Sequence, residues 1–167
     1  MLKALPPQIE RDISTSPIRG TVSAAAKALP NELSAPGAIA FTSSASDGWT
    51  VLIPNWSDGW RTLINFLAVS LKDVEVVFML TRLDGSQLEV FKNGVSVRVV
   101  QTSRETRRWT YFARGNRLPF EMPDYETRKE ISTRLNRDVL VEYLRSLGVD
   151  FEGLPAVEIT EGFILTT

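Results

Sequence analysis

Two glycine turns in the middle of the chain constrain the fold most. Asp84-Gly85 and Asn93-Gly94 separate three runs rich in β-forming residues, which cover 74–82, 88–92 and 95–101. Both dipeptides tolerate the positive φ angles of the tight turns that join antiparallel neighbours. The spacing therefore predicts a three-stranded antiparallel meander.

Polarity alternates along the third run. Val95, Val97 and Val99 alternate with Ser96 and Arg98. A strand with one buried face and one wet face requires this pattern. We therefore expect the valines to be buried and the side chains of Ser96 and Arg98 to face water.

Further strands are predicted on both sides of the meander. Short β-rich runs cover 39–42, 49–53 and 156–165, and a fourth strand of the meander is expected over 108–113. Trp109 and Tyr111 are two residues apart in that strand, so they should share one face.

Three helices are predicted in the main part of the chain. The first runs from Ser57 or Asp58 to Leu71 and has apolar residues at helical spacing, which are Trp60, Leu63, Ile64, Leu67 and Leu71. The second begins after Asp124 and ends near residue 135. The third begins after Asn136 and is stopped by Gly148.

These elements predict an α+β fold. We expect a predominantly antiparallel meander sheet of five to seven strands, with a central helix and two C-terminal helices packed on one face. Residues 1–37 contain five prolines and are predicted to form a partly irregular N-terminal arm, with one helical stretch near 22–29. Residues 38–167 are expected to form a single α+β domain.

The chain contains neither histidine nor cysteine. This excludes Ser–His and Cys–His hydrolysis, zinc fingers and iron–sulfur ligation. Carboxylate chemistry with a divalent metal survives, but Glu158 and Glu161 are three apart in a predicted strand and so should lie on opposite faces. There is no phosphate-binding glycine motif, so no cofactor and no metal site is predicted.

Apolar runs in the sequence are short. The longest covers 76–80, far below the roughly 20 residues of a spanning helix. The first residues contain a lysine and two prolines and lack a signal-peptide core. We therefore expect a cytoplasmic protein that does not bind membranes.

Basic residues cluster between 98 and 117. The segment contains six arginines and one acid, Glu105, and thus a local charge of +5. The arginines are Arg98, Arg104, Arg107, Arg108, Arg114 and Arg117. Guanidinium groups bind carboxylates and phosphates with paired hydrogen bonds, so this run is a candidate binding surface. The alternative is a solvated hairpin neutralised by the C-terminal acids, which are Asp150, Glu152, Glu158 and Glu161.

Tryptophans form a second candidate. Trp49, Trp56 and Trp60 lie within twelve residues of each other. Trp49 and Trp60 are expected to fill the core, because they fall on a predicted strand and helix. Trp56 follows Pro54 in a predicted loop, and it is the aromatic residue that we expect to take part in binding.

The second half of the chain carries a family likeness. The residues concerned are Asn93-Gly94-Val95-Ser96-Val97-Arg98, Trp109, Gly115, Leu118-Pro119-Phe120-Glu121, Tyr125, Arg128, Arg134-Leu135, Leu140, Tyr143-Leu144 and Leu147-Gly148. This set resembles small uncharacterised bacterial proteins, some of which are encoded beside polymorphic toxins as immunity proteins. The resemblance implies a toxin as partner and carries no catalytic residues.

The sequence favours a non-catalytic protein-binding module with an acidic protein partner, in its most specific form a bacterial immunity protein. The predicted binding residues are Trp56, Arg104, Arg107, Arg108, Arg114 and Arg117. Two alternatives stay open at this stage. One is a carboxylate- and metal-dependent hydrolase, and the other is nucleic-acid binding through the arginine-rich hairpin.

Overall fold

The computed structural model describes residues 14–30, 37–44, 46–55, 61–71 and 73–166. Their eight strands form two antiparallel sheets of four strands each. Helices accompany the sheets, so the predicted α+β class with antiparallel pairing is confirmed. The predicted single sheet of five to seven strands is replaced by these two sheets.

The chain divides into two compact units. The first unit combines both ends of the chain, Met1–Arg61 and Leu147–Thr167, and the second is Thr62–Ser146. The division predicted above, an arm over 1–37 and one domain over 38–167, stays a prediction.

The first unit contains the sheet with strand order β1-β8-β2-β3. Its strands are β1 (Ser14–Pro17), β2 (Gly37–Ser43), β3 (Val51–Pro54) and β8 (Ile159–Thr166). Strand β2 is the most deeply buried of them, because Ala38, Ile39 and Phe41 are almost fully enclosed. The predicted closing strand thus exists, and it pairs with β1 and β2.

Helix α1 (Val22–Lys27) also belongs to the first unit. The side chain of Thr21 caps it by accepting a hydrogen bond from the amide of Ala24 at 3.3 Å. A 3₁₀ turn at Leu154–Ala156 precedes β8. Trp49 is tied into this unit, since its Nε1 donates to the carbonyl of Leu147 at 2.9 Å.

The second unit contains the predicted meander. Strands β4 (Val76–Arg82), β5 (Gly85–Lys92), β6 (Val95–Glu105) and β7 (Arg108–Arg114) are neighbours in chain order. The Asn93-Gly94 turn has the predicted geometry, with φ of 52° and 77°. The turn between β6 and β7 is equally tight, and Thr106 takes a φ of 55° there.

The structure contains two of the three helices that the sequence predicted for the main part of the chain. Helix α2 (Arg61–Ser70) falls within the predicted central helix, whose first residues lie outside the described part. Helix α3 (Arg137–Ser146) begins where predicted, and the Oδ1 atom of Asn136 accepts from the amide of Val139 at 3.0 Å. Gly148 follows its end with a φ of 83°.

The helix predicted from Asp124 to residue 135 is wrong. Two short 3₁₀ turns, Tyr125–Thr127 and Ile131–Thr133, occupy this segment. Arg128 between them has an extended ψ of 135°. Its Nη1 donates to the carbonyl of Thr133 at 2.9 Å, and its own carbonyl accepts from Nε of Arg134 at 2.8 Å. These side-chain bonds satisfy carbonyls that a helix would have used, so the segment is irregular.

One face of the meander packs on this irregular segment and on α3. The enclosed residues are Leu88, Val90, Val100, Tyr125, Leu135, Val139, Leu140 and Tyr143. The ring of Tyr143 meets those of Phe120 and Tyr125 edge-on, with centroids 5.7 and 5.8 Å away. None of the helices in the described ranges is long and apolar enough to cross a membrane.

Candidate functional site

Strands β6 and β7 with their turn, Val95–Arg114, form what we call the arginine hairpin. It carries four of the predicted binding residues, and a fifth lies three residues after its end. These residues are Arg104, Arg107, Arg108, Arg114 and Arg117, and all five are exposed. The structure therefore gathers the predicted arginines on and beside one hairpin.

Arg98 belongs to the same run but is buried, with 2% of its surface exposed. Its Nε lies 2.9 Å from Oε1 of Glu121, and its Nη2 lies 2.8 Å from Oε2 of the same carboxylate. This two-point pairing matches the fork of a guanidinium to the two oxygens of a carboxylate. The expectation that Arg98 faces water is wrong.

A β-bulge explains the error. Ser96 pairs with Phe91 and Arg98 pairs with Val90, so Val97 is an extra residue without a partner in β5. The extra residue moves Arg98 to the face that packs on the core. Val95 and Val97 are exposed instead of buried, at 63% and 36%, and of the three valines only Val99 is buried as predicted.

The other nitrogen atoms of Arg98 and the carboxylate of Glu121 have further hydrogen-bond partners. Nη1 donates to the carbonyl of Gly115 at 2.8 Å, and Nη2 donates to Oε1 of Glu126 at 2.8 Å. Glu121 accepts further hydrogen bonds from the hydroxyl of Tyr125 and from the amide of Leu118. Such full hydrogen bonding is what allows an ion pair to be buried. Arg98 thus holds the fold together and offers nothing to a partner.

Burial by itself lowers the pKa of the Arg98 guanidinium, but its hydrogen bonds to Glu121 and Glu126 outweigh this effect, and the net shift is upward. The hydrogen bond from Arg98 lowers the pKa of Glu126 below its ordinary value, and Arg117 adds to this from 2.9 Å. Arg117 is therefore already engaged with a carboxylate.

The three tyrosines of the chain all lie in the second unit, and each has a raised pKa. Burial raises the pKa of Tyr111 to about 12. Burial also raises the pKa of Tyr125 and Tyr143, and for Tyr125 the hydrogen bond to Glu121 adds to the shift. A phenol without contact to water is held in its neutral form.

The other arginines of the hairpin differ from Arg98. Within the described ranges, Arg104, Arg107, Arg108 and Arg114 form no ion pair, and the Nη2 atom of Arg114 only donates to the hydroxyl of Ser96 at 3.3 Å. Within the second unit, the acids that pair with this run are Glu121 and Glu126. Among the described residues, these four guanidinium groups thus have no carboxylate partner.

Strand register divides these side chains between two faces. Arg108, Phe112 and Arg114 are separated by even steps and share one face of β7. The two arginines lie six residues apart, which is about 20 Å along a strand. Phe112 lies between them with 53% of its surface exposed. This face of β7 therefore presents an exposed apolar side chain between two cationic side chains.

Trp109 and Tyr111 lie on the opposite face of β7, as predicted. Both are partly buried, and the guanidinium carbon of Arg134 lies 5.3 Å from the centre of the Tyr111 ring. Arg104 pairs with Trp109 across the ladder and shares its face. These aromatic rings pack within the unit, so Phe112 is the aromatic residue of the hairpin that is most open to a partner.

Trp56, the sixth predicted binding residue, lies outside the described residues, and so does Trp60. Among the residues that the structure describes, no group of three or more acidic side chains is placed to hold a metal ion. The carboxylate-based hydrolase thus gains no candidate centre there.

Sequence reasoning did not find the cluster of Glu121, Tyr125 and Glu126 around Arg98. One feature could have pointed to it. Glu121 is the first carboxylate after the arginine run, Glu126 follows five residues later, and a buried arginine needs a nearby acid. The bulge that places Arg98 on the buried face of β6 has no comparable signal in the sequence.

Comparison with models of known families, with curated proteins and with solved structures gives no match to this chain.

Proposed function

We propose that this chain is a non-catalytic binding module that recognises an acidic protein surface with its arginine hairpin. The observation that carries the proposal is the face of β7, where Arg108 and Arg114 flank the exposed Phe112 and form no ion pair among the described residues. Arginine and aromatic residues are enriched where protein partners bind tightly. Carboxylates are the groups that a free guanidinium binds best on a protein.

Charge balance supports a protein partner over a nucleic acid. The chain has a net charge of −1 and a sequence pI of about 5.6. Proteins that bind nucleic acids through phosphates rely on a broad basic surface, typically with a pI above about 9 for the domain. Here the arginines of the basic run that form no ion pair within the described ranges lie on one hairpin. Phe112 is the one aromatic ring of that hairpin that is well exposed, which gives little room for stacked bases.

A more specific form of the proposal is that the partner is a toxin and that binding neutralises it. This form is supported by the resemblance to immunity proteins and by no other observation. It requires a toxin with an acidic surface complementary to Arg108 and Arg114.

The experiment compares charge reversal inside and outside the hairpin. The probes are a synthetic peptide of alternating glutamate and threonine and a single-stranded oligonucleotide. The Arg108→Glu/Arg114→Glu double variant should bind the peptide at least about tenfold more weakly than the parent chain, because two charge-assisted contacts become repulsive.

The matched control is Arg82→Glu. Arg82 ends β4, is also exposed, and lies outside the hairpin. Its reversal should leave peptide affinity within about twofold if the hairpin itself is the site. Equal losses in both variants would contradict a local site. Tighter binding of the oligonucleotide, with a steep loss on adding salt, would favour the nucleic-acid alternative.

A further inference from the structure

We infer that the acidic partner binds as an extended segment that adds a fifth strand to the free edge of β7. This inference rests on the proposed function, because it assumes that the arginine hairpin is the binding site. It adds the mode of recognition, which is backbone pairing, and a residue pattern for the partner. Addition of a strand to an exposed sheet edge is an established way of binding peptides.

The register determines which backbone groups of β7 point away from the sheet. The hairpin closes with Glu105 opposite Arg108, and the amide of Arg104 bonds to the carbonyl of Asp84 on the β5 side. Alternate residues of β6 therefore bond to β5 and to β7 in turn. It follows that Arg108, Thr110, Phe112 and Arg114 exchange bonds with β6. Trp109, Tyr111 and Ala113 direct their amides and carbonyls outward.

These outward groups are available. Strand β7 is the last in the order β4-β5-β6-β7. Within the described part of the chain, no hydrogen bond reaches the backbone of Trp109, Tyr111 or Ala113. The 3₁₀ turn Ile131–Thr133 lies near β7, and the amides of Thr133 and Arg134 bond to the carbonyls of Glu130 and Ile131 in the same segment. An unpaired row of donors and acceptors is a template for another strand.

Charged residues on an edge can also be a protection against aggregation, and here they distinguish between possible strands. In the antiparallel register that pairs β7 over its full length, with Tyr111 opposite Tyr111, a second copy of β7 would place Arg108 opposite Arg114. Like charges that face each other across a ladder are destabilising. An acidic strand would gain ion pairs at the same two positions. The charges on this edge thus disfavour full-length pairing with a second copy and favour pairing with an acidic segment.

The positions of Arg108, Phe112 and Arg114 along β7 determine which residue types an antiparallel partner strand needs opposite them. An acid opposite Arg114 is followed two residues later by an apolar side chain opposite Phe112. A second acid lies six residues after the first, opposite Arg108. Intervening residues meet Trp109 and Tyr111 on the other face. The partner motif is acid, any, apolar, three of any kind, then acid.

Synthetic peptides can separate backbone pairing from charge attraction. The probe is Glu-Thr-Val-Thr-Ser-Thr-Glu. Methylation of the backbone nitrogens of its second, fourth and sixth residues removes the donors that would face β7. Methylation at the third and fifth residues alters donors that would face water and is the matched control. The first change should weaken binding by at least about tenfold, and the control by much less.

Amide hydrogen exchange on the free chain and on the peptide complex gives a second readout. The amides of Trp109, Tyr111 and Ala113 should exchange fast in the free chain, while those of Thr110 and Phe112 should be protected by β6. With the peptide at tenfold excess over its Kd, the outward amides should slow by at least about fivefold, because exchange then requires release of the peptide.

A variant of the chain tests the same edge. Ala113→Pro removes one outward amide and no bond to β6, so the edge strand can keep its place. It should weaken peptide binding, whereas Ala113→Ser should not.

The outcomes separate the two proposals. If methylation and Ala113→Pro change nothing but Arg108→Glu/Arg114→Glu abolishes binding, strand addition is wrong and acidic recognition stands. If the parent chain binds no peptide and reversal of its charges has no effect, both are wrong. Binding of the chain to itself, with protection of the same amides at high concentration, would overturn the argument for an acidic occupant.

Discussion

Arg98 and Arg108 belong to one hairpin but have opposite surroundings. Arg98 is enclosed, and its guanidinium is shared among Glu121, Glu126 and the carbonyl of Gly115. Arg108 is exposed and has no ion pair among the described residues. The difference does not come from composition, because both lie in the same basic run. Strand register and one bulge decide which arginine supports the fold and which is free to bind.

The largest loss of stability is expected when the buried arginine, Arg98, is replaced. Arg98→Met should lower the free energy of unfolding of the second unit by about 3–5 kcal/mol, because Glu121 would be left buried without its partner. Urea denaturation followed by hydrogen exchange measures the loss. The double variant Arg98→Met/Glu121→Leu should regain much of it, since neither charge is then buried. A loss below about 1 kcal/mol in the single variant would contradict the structural role of the pair.

Alkaline pH should destabilise the same core, because its buried tyrosines ionise when the second unit unfolds. The pKa of each tyrosine is higher in the folded chain than in the unfolded chain. The neutral phenols therefore contribute their full stabilisation of the fold below about pH 10, and this stabilisation is lost as the pH rises through the folded pKa. At pH 11, Tyr125 and Tyr143, which are both fully buried, should each destabilise the fold by about 1 kcal/mol. Ultraviolet absorbance of tyrosinate should therefore appear together with unfolding. Normal titration of all three tyrosines near pH 10 in the folded chain would contradict their burial.

Gly115 follows the exposed Arg114 in the chain, and its carbonyl accepts a hydrogen bond from the buried Arg98. Its replacement should have an intermediate effect on the free energy of unfolding. Its φ is 83°, and a Cβ atom there would lie 2.0 Å from the carbonyl oxygen of Val97. Gly115→Ala should cost more than the roughly 1–2 kcal/mol of a left-handed backbone alone. Gly94→Ala is the matched control, because Gly94 has a similar φ of 77° and no atom closer than 3.6 Å. Equal losses measured by denaturation would mean that the close contact is unimportant.

The smallest effect is expected on the exposed side. Arg108→Ala and Arg114→Ala should each change the free energy of unfolding by less than about 0.5 kcal/mol, because both side chains are exposed and form no ion pair within the described ranges. Thermal unfolding of the variants beside the parent chain measures this. A loss comparable to that of Arg98→Met would mean that these arginines serve the fold, and the binding proposal would lose its basis.

Local turn and cap chemistry made much of the fold predictable. Asn93-Gly94 defined one hairpin, and Asn136 defined the start of α3, because each acts through its own backbone or its nearest amides. The two-sheet arrangement was not predictable in this way. It depends on β8 pairing with β1 and β2 across most of the length of the chain.

The candidate site was predictable in part for the same reason. A run of arginines is visible in the sequence, but which of them is enclosed depends on the tertiary position of Glu121 and on the bulge. The irregular segment from Tyr125 to Thr133 was mistaken for a helix, because Arg128 and Arg134 satisfy its carbonyls with side chains that lie outside any periodic pattern. Side-chain hydrogen bonds of this kind leave no mark in hydrophobic spacing.

The bulge also determines where the chain can change in length. Ser96 and Arg98 have consecutive partners in β5, Phe91 and Val90, so Val97 is the residue of β6 that the ladder can lose while both flanking registers stay in place. Deletion of Val97 would leave the Asn93-Gly94 turn on one side and the Arg98 pair on the other in their present partnerships. In related chains, a single-residue gap at this point is thus the length change that the hairpin tolerates most easily. A gap of one residue farther along β6 would move every later side chain to the wrong face.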